Sequence, residues 1–484
     1  MEMLDFSRVT SEIQRSAGLI LARIVLNIAN KVRFLWTRAQ LLKRDRWSRQ
    51  QLEAHQARTL ADLRSYVYAR SPFYQRFHAG LMERPLQDLP VLTKAMVMEN
   101  FDELVTDQSI HRRDVETHLD RSGGNERFQG RFYVNASSGS TGQRGIFLLD
   151  AFEWNTVLAS YSRSSKWGGI QPSLFHPMKA ATLTSSAPWH QTTQVRASLV
   201  TRLSPTLHID GSGPTPEAVK ALNEWKPDLL GAYPSVLKAL AEEQLAGRLS
   251  IAPRMIASSG EMLSLEARGR VETAWGKVLY EAYGATETAI LASECHRHAG
   301  MHLCEDLTIV EVVDYKGKPV PPGTDQARVL VTVLFRRAQP LIRYDIGDRV
   351  RLAAGECACG RPFRRIESMQ GRIEETLYFA RAYGGAPVAV HPAVFEGVLD
   401  TIPARAWQVV QEPNGLHILL AGLPSGYPGG SIAEALLAEL KSRGACDPGI
   451  KVLRVPEIPR GATGKVPLIR CNVPREWGSA AGQS

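Results

Sequence analysis

Residues 135–147 read NASSGSTGQRGIF, and the reading of this stretch decides what fold the rest of the chain must build. Ser137, Ser138, Gly139, Ser140, Thr141 and Gly142 stand between the apolar runs FYV (132–134) and IFLL (146–149). Two strand-forming runs around a Ser/Gly cluster suffice for a plain hairpin loop. The alternative is a loop whose backbone N–H groups and hydroxyls close on a phosphate, with glycine keeping Cβ atoms out of the way. It is not a Walker loop, because no Lys-Ser/Thr pair follows at the required place. Its neighbours must choose between the two readings.

Working outward, short apolar runs alternate with helical stretches from about 131 to 290. AATLT (180–184), PDLLGAY (227–233) and RMIAS (254–258) each precede a helical segment. Pro234 suits a first helical turn and Gly247 a stop. Strand–helix alternation at this spacing predicts a parallel sheet covered by helices, with ligands at the carboxyl ends of the strands. The Ser/Gly loop, SSGE, YPS and YGATE all fall at such ends. Beyond 300 the pattern becomes strands with Gly and Pro turns, as in LTIVEVVD and ARVLVTVL, and predicts a small β-rich unit. A further change near GRIEETL (371–377) predicts a compact α+β domain.

The chain has 484 residues, too many for one ordinary core, and a net charge of +9. Residues 1–50 hold ten Lys and Arg against four acids, a net of +6. This segment reads as a basic amphipathic helix. A helix packed on the main body with a solvated basic face is favoured over one lying on an anionic membrane surface. Arg23 interrupts its apolar run, which is too short to span a bilayer. No signal-peptide pattern is present, so the cytoplasm is the expected compartment. Scattered basic charge without an aromatic ladder argues against nucleic acid as a partner. Four of the six cysteines fall between 295 and 359, a clustering that suggests metal before disulfides. Thiolates and imidazoles in two groups, Cys295 to Cys304 and Cys357 with Cys359, suit tetrahedral zinc.

In order along the chain stand ASSGSTG, KPDLLGAYPSVL, ASSGEML, YEAYGATET, ECHRHAGMHLCEDLTIVEVV, IRYDIGDR, CACGR, GRIEE and IPRGATGKVPLIR. On these motifs the chain resembles the adenylate-forming superfamily of acyl- and aryl-CoA synthetases, luciferases and peptide-synthetase adenylation domains. Within it the resemblance is to the phenylacetate-CoA ligase branch. SPFYQRF and LPVLTKAMVMENFDELVT further resemble the subgroup related to capsule-biosynthesis ligases and deazaflavin-adenylylating, coenzyme-F-synthetase-related enzymes. The resemblance covers about residues 60–470.

It implies an α/β fold: a large N-terminal domain of helix-covered, mostly parallel sheets plus a small β-rich unit, and a small mobile α+β C-terminal domain. The corresponding division is a basic helical extension at 1–50, an AMP-binding domain at 51–371 with a β-rich, zinc-pinned unit at about 295–366, and a lid at 372–484. The implied reaction joins a carboxylate to the α-phosphate of ATP, releases pyrophosphate, and passes the acyl group to a thiol, most often coenzyme A. Bringing two anions together in line makes catalysis a matter of positioning and charge neutralisation.

The resemblance assigns Ser137, Ser138, Gly139, Ser140, Thr141 and Gly142 to the phosphates. Glu287 takes Mg²⁺, Thr286 the α-phosphate, and Tyr283 with Gly284 the adenine. Asp348 takes the ribose hydroxyls with Arg372 nearby, and Glu261 belongs to the nucleotide site. Lys465 is the mobile catalytic cation. Cys295, His302, Cys357 and Cys359 are the implied zinc ligands. Trp189, His190, Tyr233, Pro234 and Ser235 are expected to wall an acyl pocket suited to an aromatic acid. Two positions depart from the family pattern: Arg144 follows the loop where Lys-Pro is usual, and Glu374 replaces the usual pivot Asp. The acceptor can be coenzyme A, a carrier-protein thiol, an amine or a phenol. An adenylyltransferase and a nucleotide-binding, membrane-associated scaffold are the alternatives. Nothing in the sequence fixes the oligomeric state.

Overall fold

A computed structural model describes residues 29–121, 126–137, 144–169, 177–199, 204–213, 215–372, 375–459 and 465–473. The strands are β1 (Tyr133–Ala136), β2 (Ile146–Leu149), β3 (Ala180–Thr184), β4 (Thr206–Asp210), β5 (Leu229–Ala232), β6 (Met255–Ser259), β7 (Leu279–Ala285), β8 (Ala289–Glu294), β9 (Met301–Leu303) and β10 (Thr308–Val313). They continue as β11 (Ala327–Val333), β12 (Tyr344–Leu352), β13 (Arg365–Arg372), β14 (Leu377–Phe379), β15 (Val388–Val390), β16 (Ala406–Glu412), β17 (Gly415–Ala421), β18 (Ile450–Val455) and β19 (Ile469–Cys471).

Eleven of these strands form one sheet, in the order β10-β11-β12-β13-β9-β8-β7-β6-β5-β3-β4. From β4 to β7 the ladders are parallel. Each crossover carries a helix: Gln191–Leu199, Thr215–Trp225, Pro234–Leu245 and Leu265–Trp275. Pro234 opens its helix without sacrificing a needed N–H, and Ser264 caps the next by accepting from Ala267 N. The remaining ladders, from β7 to β10, are antiparallel. The sequence pattern separates a parallel sheet from a β-rich unit, whereas hydrogen bonding runs through both. Antiparallel neighbours need only short turns, so the composition changes at 300 while the sheet continues.

Chain order explains where a ligand can enter. β3 is laid first, β4 on one side of it, and β5, β6 and β7 on the other. The two crossovers from β3 and to β5 therefore part company there, leaving a crevice at the carboxyl ends of β3 and β5. β1 and β2 form a separate antiparallel hairpin, with Ala136 opposite Ile146. Its loop is the Ser/Gly stretch.

One apolar core packs the first helices against the hairpin and the antiparallel half, around Tyr74, Phe101, Phe147, Val329 and Tyr344. A second fills the parallel half around Leu183, Leu230, Leu237 and Ile256. The third belongs to the C-terminal unit, where the mixed sheet β18-β17-β16-β19 and the helices Pro392–Leu399 and Gly429–Ser442 enclose Phe395, Trp407, Ile418 and Leu436. No helix among the described residues is long and apolar enough to cross a membrane.

Candidate active site

The loops after β3, β5 and β6 meet at the crevice. Tyr233, buried at the end of β5, accepts the Ser185 N–H at 3.0 Å and so ties the first two loops together. Gly260 has φ +86°, and a Cβ there would lie 3.0 Å from the Tyr233 ring, so this position of SSGE requires glycine. The turn delivers the Glu261 carboxylate to two backbone donors, Ser235 N at 3.1 Å and Val466 N at 2.7 Å. Glu261 thus joins the large unit to the segment that carries Lys465.

The Lys465 ammonium lies 5.7 Å from the centroid of the Tyr233 ring. Burial first, and the Arg372 guanidinium second, hold its pKa down at about 8. His190 bonds Thr192 Oγ1 at 2.8 Å. Burial and the nearby Lys465 push its pKa down to about 3, so the imidazole is neutral at physiological pH.

Strand register builds the next group. β12 pairs with β13 so that Asp348 faces Arg372, and Arg372 Nε donates to Asp348 Oδ1 at 2.9 Å. The Tyr283 hydroxyl, from β7, donates to Asp348 Oδ2. Burial and Asp348 push this phenol well above its ordinary value, which fixes it as a donor. At the β7–β8 turn, the Thr286 carbonyl accepts from the Gln191 amide at 3.2 Å and the Glu287 carbonyl from Arg336 at 2.8 Å. The Glu287 carboxylate receives the Tyr344 hydroxyl at 3.3 Å, and burial raises its pKa.

A cleft of about 1290 Å³ lies between the large sheet and the C-terminal unit. Arg144, Trp189, Pro234, Ser235, Glu261, Tyr283, Gly284, Asp348, Arg372 and Lys465 all line it. His190, Tyr233, Thr286 and Glu287 are not among its lining residues. Arg144 stacks over Trp189, 4.2 Å from the ring centroid, so its cation is held at the cleft. Ser137 closes the hairpin: its N–H donates to Gly145 O at 2.8 Å and its Oγ accepts Gly145 N at 2.9 Å. Ser138, Gly139, Ser140, Thr141, Gly142 and the pivot position Glu374 lie outside the described residues.

The cysteine cluster is assembled by the antiparallel half. β9 pairs with β13, placing His302 opposite Arg365 near the loop that carries Cys357 and Cys359. Ligand atoms of Cys295, His302, Cys357 and Cys359 all lie within 4.8 Å of one another. Cys295 and Cys357 sulfurs are 3.9 Å apart, and Cys359 Sγ is 3.2 Å from His302 Nε2. Zinc–sulfur bonds of about 2.3 Å at the tetrahedral angle would set sulfurs about 3.8 Å apart, so the set fits zinc. His302 Nδ1 lies 3.3 Å from the Phe363 carbonyl, an outer partner that orients the ring with Nε2 toward the sulfurs. Cys304, buried elsewhere, stays outside the set.

Two contacts went unread in the sequence: the Glu261 bridge to Val466 and the Tyr344 bond to Glu287. Tyr344 stands in the same IRYDIGDR motif as Asp348, which was its only signal. Arg343 of that motif is structural, bonding Glu311, Gly317 O and Leu89 O.

Residues 131–330 match the model of the AMP-binding enzyme family. The chain is 27% identical over 387 residues to the phenylacetate-coenzyme A ligase of Thermus thermophilus, covering 76% of this chain and 80% of that one. It is 27% identical over 257 residues to the ligase of the same name from Aromatoleum evansii, covering 50% of this chain and 55% of that one. In fold it is similar to a 2-hydroxyisobutyryl-CoA ligase solved with its acyl-adenylate, with a TM-score of 0.70 at 18% identity over 91% of this chain and 93% of that one. The match over residues 131–330 and the fold are both similar to those of AMP-binding enzymes of the adenylate-forming superfamily. Within that superfamily the similarity in sequence is to phenylacetate-CoA ligases.

Proposed function

We propose that this protein is an AMP-forming acid–thiol ligase that activates an aromatic, phenylacetate-like carboxylic acid with ATP and transfers the acyl group to coenzyme A. The observation that carries the reading is the cleft on which Trp189, Glu261, Tyr283, Asp348, Arg372 and Lys465 converge from separate elements. Its volume accommodates a nucleotide and a small acid together.

In this reading Asp348, held from both sides by Tyr283 and Arg372, presents carboxylate oxygens to the ribose. Lys465 bridges the acid and the α-phosphate as charge shifts toward the phosphates, and Arg144 with the Ser/Gly loop takes the departing pyrophosphate. Trp189 and Pro234 supply a flat apolar wall for the ring of the acid, with Ser235 beside them, while neutral His190 adds no charge. Glu287 is the hard oxygen donor suited to Mg²⁺, which supplies phosphate charge neutralisation when bound. The Cys295, His302, Cys357 and Cys359 set holds one structural zinc, clipping β8, β9 and the β12–β13 loop together. The C-terminal unit acts as a lid, closed here with Lys465 inside.

The test is a pyrophosphate-release screen over aromatic and aliphatic acids, with and without coenzyme A. Release with arylacetates, accompanied by AMP and a thioester when coenzyme A is added, is expected. AMP left attached to an acceptor would instead favour an adenylyltransferase.

A further inference from the structure

The helix over residues 29–44 is docked on the body by one face only. Thr37 and Leu41 are buried, Phe34 packs beside Trp47 and Tyr161, and Arg38 Nε donates to Ser162 Oγ at 2.8 Å. On the opposite face Val32, Leu35 and Trp36 are 62%, 59% and 58% exposed, with Ala39 completing the stripe. Among the described residues, three of the ten exposed large apolar side chains thus fall within five consecutive positions. A solvated polar face would not carry them. In the sequence upstream, Leu21, Ile24, Val25 and Ile28 keep the same three-and-four spacing.

We propose that this face is an in-plane docking surface for an anionic lipid membrane. Charge complementarity selects the occupant. Seven Lys and Arg and no acid fall between Glu12 and Asp45; Arg38 and Arg44 are engaged by Ser162 and Asp306 on the body, whereas Lys31, Arg33 and Lys43 are exposed beside the stripe. Two copies paired through this stripe would set like charges against each other, where helix pairing needs complementary flanks. An anionic lipid surface neutralises them instead, while Leu35 and Trp36 enter the headgroup boundary. Trp36 is suited to that depth by an apolar ring with a polar N–H. No residue of this helix lines the catalytic cleft, so the surface and the active site can be altered separately.

The test uses the full chain with vesicles of phosphatidylcholine, with and without phosphatidylglycerol. Co-sedimentation with the anionic vesicles only is expected, falling as salt is raised from about 50 mM to about 500 mM. The double variant Leu35→Asp, Trp36→Asp is expected to lose about tenfold in vesicle binding while acid-dependent pyrophosphate release is unchanged. Circular dichroism of the variant checks that it folds. Failure to sediment with anionic vesicles, or equal binding by the double variant, would overturn the proposal. So would a dimer in light scattering that the double variant splits, because a second copy would then own the face.

Discussion

Lys465 carries its positive charge at a cost, since burial and Arg372 both oppose it. At pKa about 8 the group is mostly protonated at neutral pH and loses its proton as the medium turns mildly alkaline. In the proposed mechanism only the cation assists acyl-adenylate formation. The first half-reaction is therefore expected to fall along an alkaline limb centred near pH 8, read by pyrophosphate exchange from pH 6 to 10. The residual exchange of Lys465→Arg should lack that limb, because a guanidinium stays charged. Lys465→Ala should slow exchange by about two to three orders of magnitude with ATP affinity nearly unchanged, since the lost contact is made chiefly in the transition state. Equal losses in ATP binding and exchange would contradict that assignment.

At the scale of elements, much was legible from punctuation and period. AATLT is β3 residue for residue, and Pro234 and Ser264 open helices as their chemistry suggests. The loop at 137–145 is a hairpin connection, as its flanking strands require. That placement and a phosphate-binding role are compatible. What the sequence could not give was pairing across long separations. The resemblance sets Arg372 near Asp348, but their ion pair follows from the β12–β13 register, and the Glu261 bridge needs a residue 205 positions away. Neither leaves a local trace. Glu261→Gln removes the charge from that bridge and is expected to slow acyl-adenylate formation about tenfold. Thioester formation from added acyl-adenylate should be spared, because the bridge belongs to the closed arrangement. The sequence shows the Cys/His residues only as two separate groups, and the β9–β13 pairing brings them together. Metal analysis is expected to find about one zinc per chain, lost in Cys357→Ser with a lower thermal midpoint. Protein never exposed to chelator that carries no zinc would remove the site.

For the whole molecule, one physical arrangement organises the rest. A helix-covered sheet offers its crevice at the end of β3 and β5, an antiparallel extension brings Asp348 and Arg372 to the same rim, and a second unit presents Lys465 across the gap. In the proposed mechanism two units serve because one cation enters for the first chemical step and withdraws to admit a thiol for the second. The most direct measurement of this account is isotope exchange between pyrophosphate and ATP in the presence of single acids and the absence of coenzyme A. Exchange that depends on an aromatic acid and vanishes in Lys465→Ala is the predicted result. Exchange indifferent to every acid, or cleavage of ATP to ADP and phosphate, would contradict it.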